Sequence, residues 1–452
     1  MLNQMFKAFC GVMMVMVFFF FCSSPKKTTQ QTPTDTGPAA PVPPAMEVPP
    51  TITKPVTMAK TDSFLENLLA QYPQYFGDLL KYRDSFQLQV IYTQIDRRSN
   101  NQPVFTNYYL NVNPDQYFYP ASTVKMPTAL LALQRLNEMK IPGLNKGSTM
   151  ITTGNYSGQN EVYNDPTTPD GRPSIAHYVK KIFLVSDNDA YNRLYEFLGQ
   201  EYINQKLHAM GYPNAEIIHR LERFLSEDEN RHTNPITFYD GTGKLLYKQP
   251  QQFNQQTHLK RSDWLGKAYY RGDKLINGPM DFTKKNRLVL EDLQQILKSI
   301  LFPNEVPAKQ RFNISQEDYR FVWKYMSQYP GETIYPSYNS PDYWDAYCKF
   351  LYWGADKEPL PKTFRIFNKV GDAYGFLIDA AYVVDFDKKI EFMLSAAIYC
   401  NSDGVLNDSK YDYEAVGYPF MKNLGRVIYE HELKRKRTQT PDLSTFRFSY
   451  EK

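Results

Sequence analysis

Residues 364–399 read FRIFNKVGDAYGFLIDAAYVVDFDKKIEFMLSAAIY. Three apolar runs, Phe364 to Val370, Gly375 to Asp385 and Ile390 to Tyr399, are broken by Gly371-Asp372 and by Asp387-Lys388-Lys389. β-Branched and aromatic residues fill the runs, and turn-forming residues fill the breaks. The stretch therefore predicts an antiparallel meander of three strands.

Outward from this meander, the pattern after it predicts a closing helix from about Glu414 to Leu433 that covers the sheet. The basic run Lys434 to Arg437 beyond it reads as a frayed, solvated tail. Near the other end, Phe64, Leu65, Leu68 and Leu69 share one helical face, and two extended runs, Phe86 to Ile95 and Val104 to Val112, flank a polar turn. The middle of the chain is mostly helical. Met126, Ala129, Leu130, Leu133 and Leu136 form one stripe, with Pro127 tolerated early in its helix. Further helices are expected over Ile175 to Leu184, Asp189 to Leu198, the region around Leu288 to Ile300, and from Ser315 to Met326 behind a capping box. Both chain ends thus supply the sheet. The predicted class is α+β: a five-stranded antiparallel sheet flanked by helices, plus a helical lobe, with the site between them.

The candidate chemistry begins at Ser122 and Lys125, three positions apart and so on one helical face. A serine hydroxyl is a weak nucleophile, and a buried lysine held neutral can take its proton. Pro120-Ala121-Ser122-Thr123-Val124-Lys125, then Ser186-Asp187-Asn188, then Lys369-Val370-Gly371 at a strand, in that order, resemble the three signatures of class A β-lactamases and penicillin-binding proteins. The resemblance extends over residues 60–433.

It implies a serine hydrolase whose Ser122 forms the acyl-enzyme, with Lys125 as its base or as the setter of its charge environment, and Ser186 as proton relay to the leaving nitrogen. Asn188 would bond to the substrate amide chain and to Lys125, while Asp187 would brace the loop. Lys369 would attract a substrate carboxylate, with Gly371 beside it, and the amides of Ser122 and Ala373 would form the oxyanion hole. The implied partners are a β-lactam or a peptidoglycan stem peptide. Two departures stand out. Val370 occupies the position of a customary hydroxyl residue, a loss of about 1 kcal/mol or more in carboxylate recognition. The loop from Arg220-Leu221-Glu222-Arg223 to Arg231 is short, leaving Glu227 and Glu229 as candidates for activating the deacylating water, Asp240 and Asp263 as outside candidates, and Glu222 as an ion-pair partner of Arg220 or Arg223. β-Lactam hydrolysis is the leading expectation, with a D-Ala-D-Ala peptidase or transpeptidase and a binding protein of low turnover as alternatives.

The chain has 452 residues and a formal charge of only +4, with no basic stripe to suit nucleic acid. The histidines have no ligand spacing and no CxxC or HExxH occurs, so neither a metal nor another cofactor is expected. A monomer is expected. Residues 8–21 form an uncharged apolar run after Lys7, ending at Cys22. This resembles a bacterial lipoprotein signal over residues 1–22, although Phe21 stands where a small residue is usual. Lipidation at Cys22 would place an exported protein at the periplasmic or cell surface, anchored to the membrane; cleavage after Ser23-Ser24 would release it. Residues 23–57 hold nine prolines and read as a spacer. The hydrolase-like domain is expected over 58–434 with an insertion at 236–285, followed by a polar tail, 435–452. Cys348 and Cys400 permit a disulfide without indicating one.

Overall fold

The computed structural model describes residues 58–452. The expected export signal, Cys22 and the expected spacer lie outside the described residues. Two short helices, α1 (Ser63–Ala70) and α2 (Pro73–Lys81), lead into strands β1 (Gln89–Arg97) and β2 (Pro103–Leu110). Helix α3 (Lys125–Met139), strand β3 (Thr149–Thr152), and helices α4 (Ile175–Val185) and α5 (Asn188–Met210) follow. Strands β4 (Ile236–Tyr239) and β5 (Leu245–Gln249) precede α6 (Leu290–Leu301) and α7 (Gln316–Ser327). Strands β6 (Phe364–Ala373), β7 (Phe376–Asp385) and β8 (Ile390–Tyr399) and helix α8 (Tyr418–Lys434) complete the main elements.

The predicted α+β architecture is present: one antiparallel sheet has the order β6-β7-β8-β1-β2, flanked by helices, beside a helical lobe. The meander lies at one side and the N-terminal pair joins it through β1 and β8, with Val90 opposite Ala396. Every residue of β7 is buried, because both sheet faces are covered. Ile378 and Met393 face the core shared with α3, while Leu377 and Leu394 face the core shared with α1 and α8. Continuous apolar runs, rather than strict alternation, are the sequence signature of such doubly covered strands.

One buried ion pair lies inside this sheet between β1 and β8. Arg97 on β1 makes two bonds of 2.6 Å to Glu391 on β8, and Tyr382 on β7 donates to the same carboxylate at 2.7 Å. The bidentate geometry compensates the desolvation of both ions.

Four differences from the sequence reading have physical causes. Helix α3 is buried from Lys125 through Gln134, not on one stripe, because it passes through the middle of the helical lobe. Helix α2 was not anticipated; Pro73 sits at its first turn, where a missing amide hydrogen costs nothing, and Phe76 and Leu79 face the core. The 236–285 segment is partly core, since Ile236 and Phe238 on β4 are fully buried and β4 pairs with β3. The C-terminal run is not frayed: Arg435 and Arg437 both donate to Glu432, itself fully buried, and Leu443 and Phe446 insert into the core. Near the terminus, Glu451 accepts from Tyr325 Oη, Thr333 Oγ1 and the Ile334 amide at 2.7 to 2.9 Å. Cys348 and Cys400 are both buried and unpaired.

Candidate active site

Ser122 lies in a single 3₁₀ turn, Ala121–Val124, which runs directly into α3. Ala121, just before it, has φ +46, a conformation that costs a residue with a Cβ about 1 kcal/mol or more. The turn is held against β6 by Gly371, where an added Cβ would stand 2.8 Å from Pro120 O and 3.0 Å from Ser122 N. Glycine is thus required there by close approach of two backbones.

Lys125 is fully buried at the start of α3. Its amine donates to Asn188 Oδ1 at 2.6 Å, to Ser186 Oγ at 3.2 Å and to the Ser186 carbonyl. Burial, reinforced by the nearby Lys369 charge, holds the Lys125 amine well below the ordinary lysine range. Ser186 has φ +60 between α4 and α5. The Asp187 side chain caps α5 by accepting from the Ala190 amide at 2.7 Å and stands 3.5 Å from Lys181. Its geometry is that of a loop brace at the cavity wall.

Lys369 reaches across from β6 and donates to Ser186 Oγ at 2.7 Å and to Val370 O at 2.8 Å. Burial pushes its amine down to about 8. Ser186 Oγ therefore joins Lys125 to Lys369, and three stretches far apart in sequence converge beside Ser122. Two cavities of about 660 and 650 Å³ meet here, sharing Ser122, Asn188, Glu222 and Asp372.

The cleft-facing amide of β6 belongs to Asp372, not to Ala373. Ala373 pairs with Phe376 across the two-residue turn Tyr374-Gly375, whose φ values of +53 and +83 suit a type I′ hairpin. Amide and carbonyl directions alternate along a strand, so Ala373 points toward β7 while Val370 and Asp372 point outward. The bond from the Lys369 amine to Val370 O agrees with that parity. Ser122 N and Asp372 N are the candidate oxyanion donors, and Ala373 contributes only to the cavity wall.

The acidic candidates sort differently from the sequence expectation. Glu227 pairs with Arg231 at 2.9 Å, and Glu229 closes a capping box with Ser226 while accepting from Ser157 at 2.7 Å. Neither lines a cavity with Ser122. Both carboxyls are held below the usual range: for Glu227, burial acts upward but is outweighed by the Arg231 bond together with the charges of Lys284, His258 and Arg231, and for Glu229 hydrogen bonds from Ser226 and Ser157 act downward. Asp240 caps its own turn at Thr242 and Lys244, and Asp263 is bonded to Arg261. Glu222 does line both cavities, accepting from Asn188 Nδ2 at 2.8 Å rather than pairing with either arginine. Arg220 is committed to Glu196 at 2.8 Å, and Arg223 to Gly158 O at 2.8 Å. Glu222 also has φ +55, so backbone strain is held at the cleft. The place of Glu222 and of Asp372 in the cavity lining was not anticipated from sequence, although Asp372 directly follows the third signature.

Among the described residues no cluster of His, Cys, Asp and Glu suits a metal ion. A family model described as Beta-lactamase2, the beta-lactamase enzyme family, matches residues 78–431. The chain is similar to the solved structure of a beta lactamase from Xanthomonas campestris, at 13% identity and TM-score 0.43, covering 81% of this chain and 97% of that one. It is also similar to a class A beta-lactamase from Clostridium kluyveri, at 14% identity and TM-score 0.43 over 80% and 98% of the two chains. A beta-lactamase from Chitinophaga pinensis gives 13% identity and TM-score 0.44 over 81% and 99%. No curated protein matches.

Proposed function

We propose, from the premise that the chain belongs to the beta-lactamase enzyme family, that it is a serine hydrolase acylated on Ser122, with β-lactam amides as its leading substrate class and class A-like chemistry. The observation that carries this reading is the hydrogen-bonded chain Asn188–Lys125–Ser186–Lys369 beside Ser122, which opens onto two cavities.

In the acylation half, neutral Lys125 takes the Ser122 proton while Oγ attacks the carbonyl carbon. The oxyanion is met by the amides of Ser122 and Asp372. Ser186, bonded to both lysines, passes a proton to the leaving nitrogen as the carbon–nitrogen bond breaks. In the second half a water attacks the ester carbon while Glu222 takes its proton; the bond from that carbon to Ser122 Oγ then breaks, a proton returns to Oγ and the acid is released. No step calls for a metal or another cofactor.

A second reading, a penicillin-binding-like protein of low turnover, is favoured by Val370, which places a methyl pair where a substrate carboxylate would need a donor; a D-Ala-D-Ala peptidase or transpeptidase is the remaining alternative. For localisation we keep the proposal of an exported lipoprotein anchored at Cys22.

Ser122→Ala tests the nucleophile by mass spectrometry of the protein after exposure to a penicillin and to a fluorophosphonate. The expected result is loss of both adducts with the unfolding midpoint retained. Undiminished labelling of the variant overturns the assignment. Steady-state hydrolysis of a chromogenic cephalosporin separates the two readings.

A further inference from the structure

Ser122 opens onto both cavities, but Ser186, from which the leaving nitrogen takes its proton, lines only the first, together with Val370. The leaving side of a substrate acylating Ser122 therefore lies in the first cavity. Its acyl side chain then extends into the second, past Asn188 and Glu222.

The second cavity holds three basic residues that the first lacks, Arg220, Arg223 and Lys285. Arg220 is spent on Glu196. Arg223 donates to the Gly158 carbonyl and has no carboxylate partner among the described residues. The Lys285 amine has neither a hydrogen bond nor an ion pair among the described residues. Of the two carboxylates in the same lining, Glu222 accepts from Asn188, and Asp372 is met by the Lys369 charge. Two cations without a carboxylate partner thus stand on the acyl side.

Lys285, the last residue of the 236–285 segment, is held in place. Its amide donates to Phe282 O at 2.9 Å, and its carbonyl accepts from Arg261 Nη2. The next residue, Asn286, is fully buried and accepts from the amides of Ile218 and His219 at 2.8 and 3.2 Å. Burial, and then the Lys285 charge, push the neighbouring His219 imidazole down to about 3, so that ring is neutral. The Lys285 side chain is itself half-buried. An ammonium in that position has shed part of its hydration without a counter-ion, and an anionic ligand supplies one. Tyr119 and Tyr374, with ring centres 5.1 Å apart, give the same cavity an aromatic wall.

We propose that the second cavity binds a carboxylate on the acyl side chain of the substrate, with Lys285 as the specificity-determining residue and Arg223 as a supporting charge. The inference rests on Ser122 as nucleophile and on β-lactam amides as substrates. It deepens that reading by naming the favoured members, those whose acylamino side chain is anionic.

Three penicillins that differ in one substituent on the side chain test it: α-carboxybenzylpenicillin (anionic), benzylpenicillin (neutral) and α-aminobenzylpenicillin (cationic at about pH 6.5). In each, Ser122 Oγ bonds to the lactam carbonyl carbon, the carbon–nitrogen bond breaks and the nitrogen takes a proton. The ring-opened molecule stays attached, so the adduct adds the mass of the whole penicillin. The bicyclic nucleus and its carboxylate are common to all three, and intrinsic reactivity cancels when wild type and variant are compared.

With second-order acylation rate constants measured by mass spectrometry on the full chain at low ionic strength, the anionic penicillin is expected to exceed the cationic one by about tenfold or more. Lys285→Met and Lys285→Gln are each expected to lower this ratio about fivefold or more, Lys285→Arg to retain most of it, and added salt to compress it. Equal constants or a preference for the cationic penicillin, with labelling abolished by Ser122→Ala, overturns the inference and leaves the nucleophile standing. A ratio unaltered in Lys285→Met or Lys285→Gln removes Lys285 from the role. Adducts that persist in Ser122→Ala, or none with any of the three, overturn the functional reading and the inference with it.

Discussion

Asn188 donates from Nδ2 to Glu222 at 2.8 Å while its Oδ1 accepts from Lys125 at 2.6 Å. One amide thus orients both the proposed base, Lys125, and a carboxylate that, like Asp372, lines both cavities at Ser122.

Glu222→Gln keeps the size of the side chain and removes the proton acceptor. Acyl-enzyme should still form, but its decay should slow by about 10² to 10⁴, the usual worth of general-base assistance. Rapid-quench measurement of formation and decay checks this. Unchanged decay would transfer the role to another group, with Glu227 and Glu229 already committed to Arg231 and Ser226.

Gly371→Ala should impair acylation by about 10²-fold or more, since the new Cβ would press on Pro120 O and Ser122 N and displace an oxyanion donor. Labelling rates with a fluorophosphonate, beside circular dichroism of the fold, provide the comparison.

Lys369 has an opposite effect on activity and stability with rising pH. Its amine, lowered by burial to about 8, loses its proton as pH rises through that value, and the positive potential at Ser186 goes with it. Acylation of substrates that depend on this charge should fall above pH about 8. A lysine depressed in the folded state binds fewer protons there than when unfolded, at its ordinary 10.5, so the unfolded chain holds the excess between these values. Folding stability contributed by this group therefore rises with pH in that window, by roughly 1 kcal/mol per unit. Lys349, also lowered to about 8 by burial, acts in the same sense. Denaturant unfolding from pH about 8 to about 10, alongside labelling rates, measures both trends, and Lys369→Met should flatten each.

Glu391→Ala strips the buried Arg97 of both its carboxylate bonds and leaves Tyr382 Oη without its acceptor. A loss of about 3 to 5 kcal/mol is expected for an uncompensated buried charge. Chemical denaturation should register it as a lower midpoint.

Cys22→Ser should move the protein from the membrane to the soluble fraction if the lipid anchor forms. Fractionation with immunodetection decides, and an unchanged membrane fraction would count against the anchor.

The sheet was readable because each strand of the meander is covered on both faces, which leaves long apolar runs such as Phe376 to Val384 with turn residues between them. The three signature stretches were readable because each is a short local pattern in a fixed order: Ser122 just before α3, Ser186 between α4 and α5, Lys369 within β6. Glu222 was not. Local spacing pointed to Arg220 and Arg223, whereas its partner, Asn188, lies 34 positions away. The outward-facing amide of β6 differs by one residue from the sequence expectation, because strand parity depends on how the hairpin closes at Tyr374-Gly375. The C-terminal run looked solvated by composition, and only tertiary contact with Glu432 gives its arginines a buried acceptor.

The carboxylate of Glu451 ties the chain's last residues to Thr333 and Ile334, at the start of the segment that continues to Tyr343 and Trp344 in the cleft wall. Affinity tags and reporter fusions are therefore best attached at the N-terminal side of residue 58. A shortened recombinant version ending at Lys434 would lose Phe446 from the interior and this clasp together. Altered substrate preference in such a version would reflect the missing clasp rather than the enzyme's own selectivity.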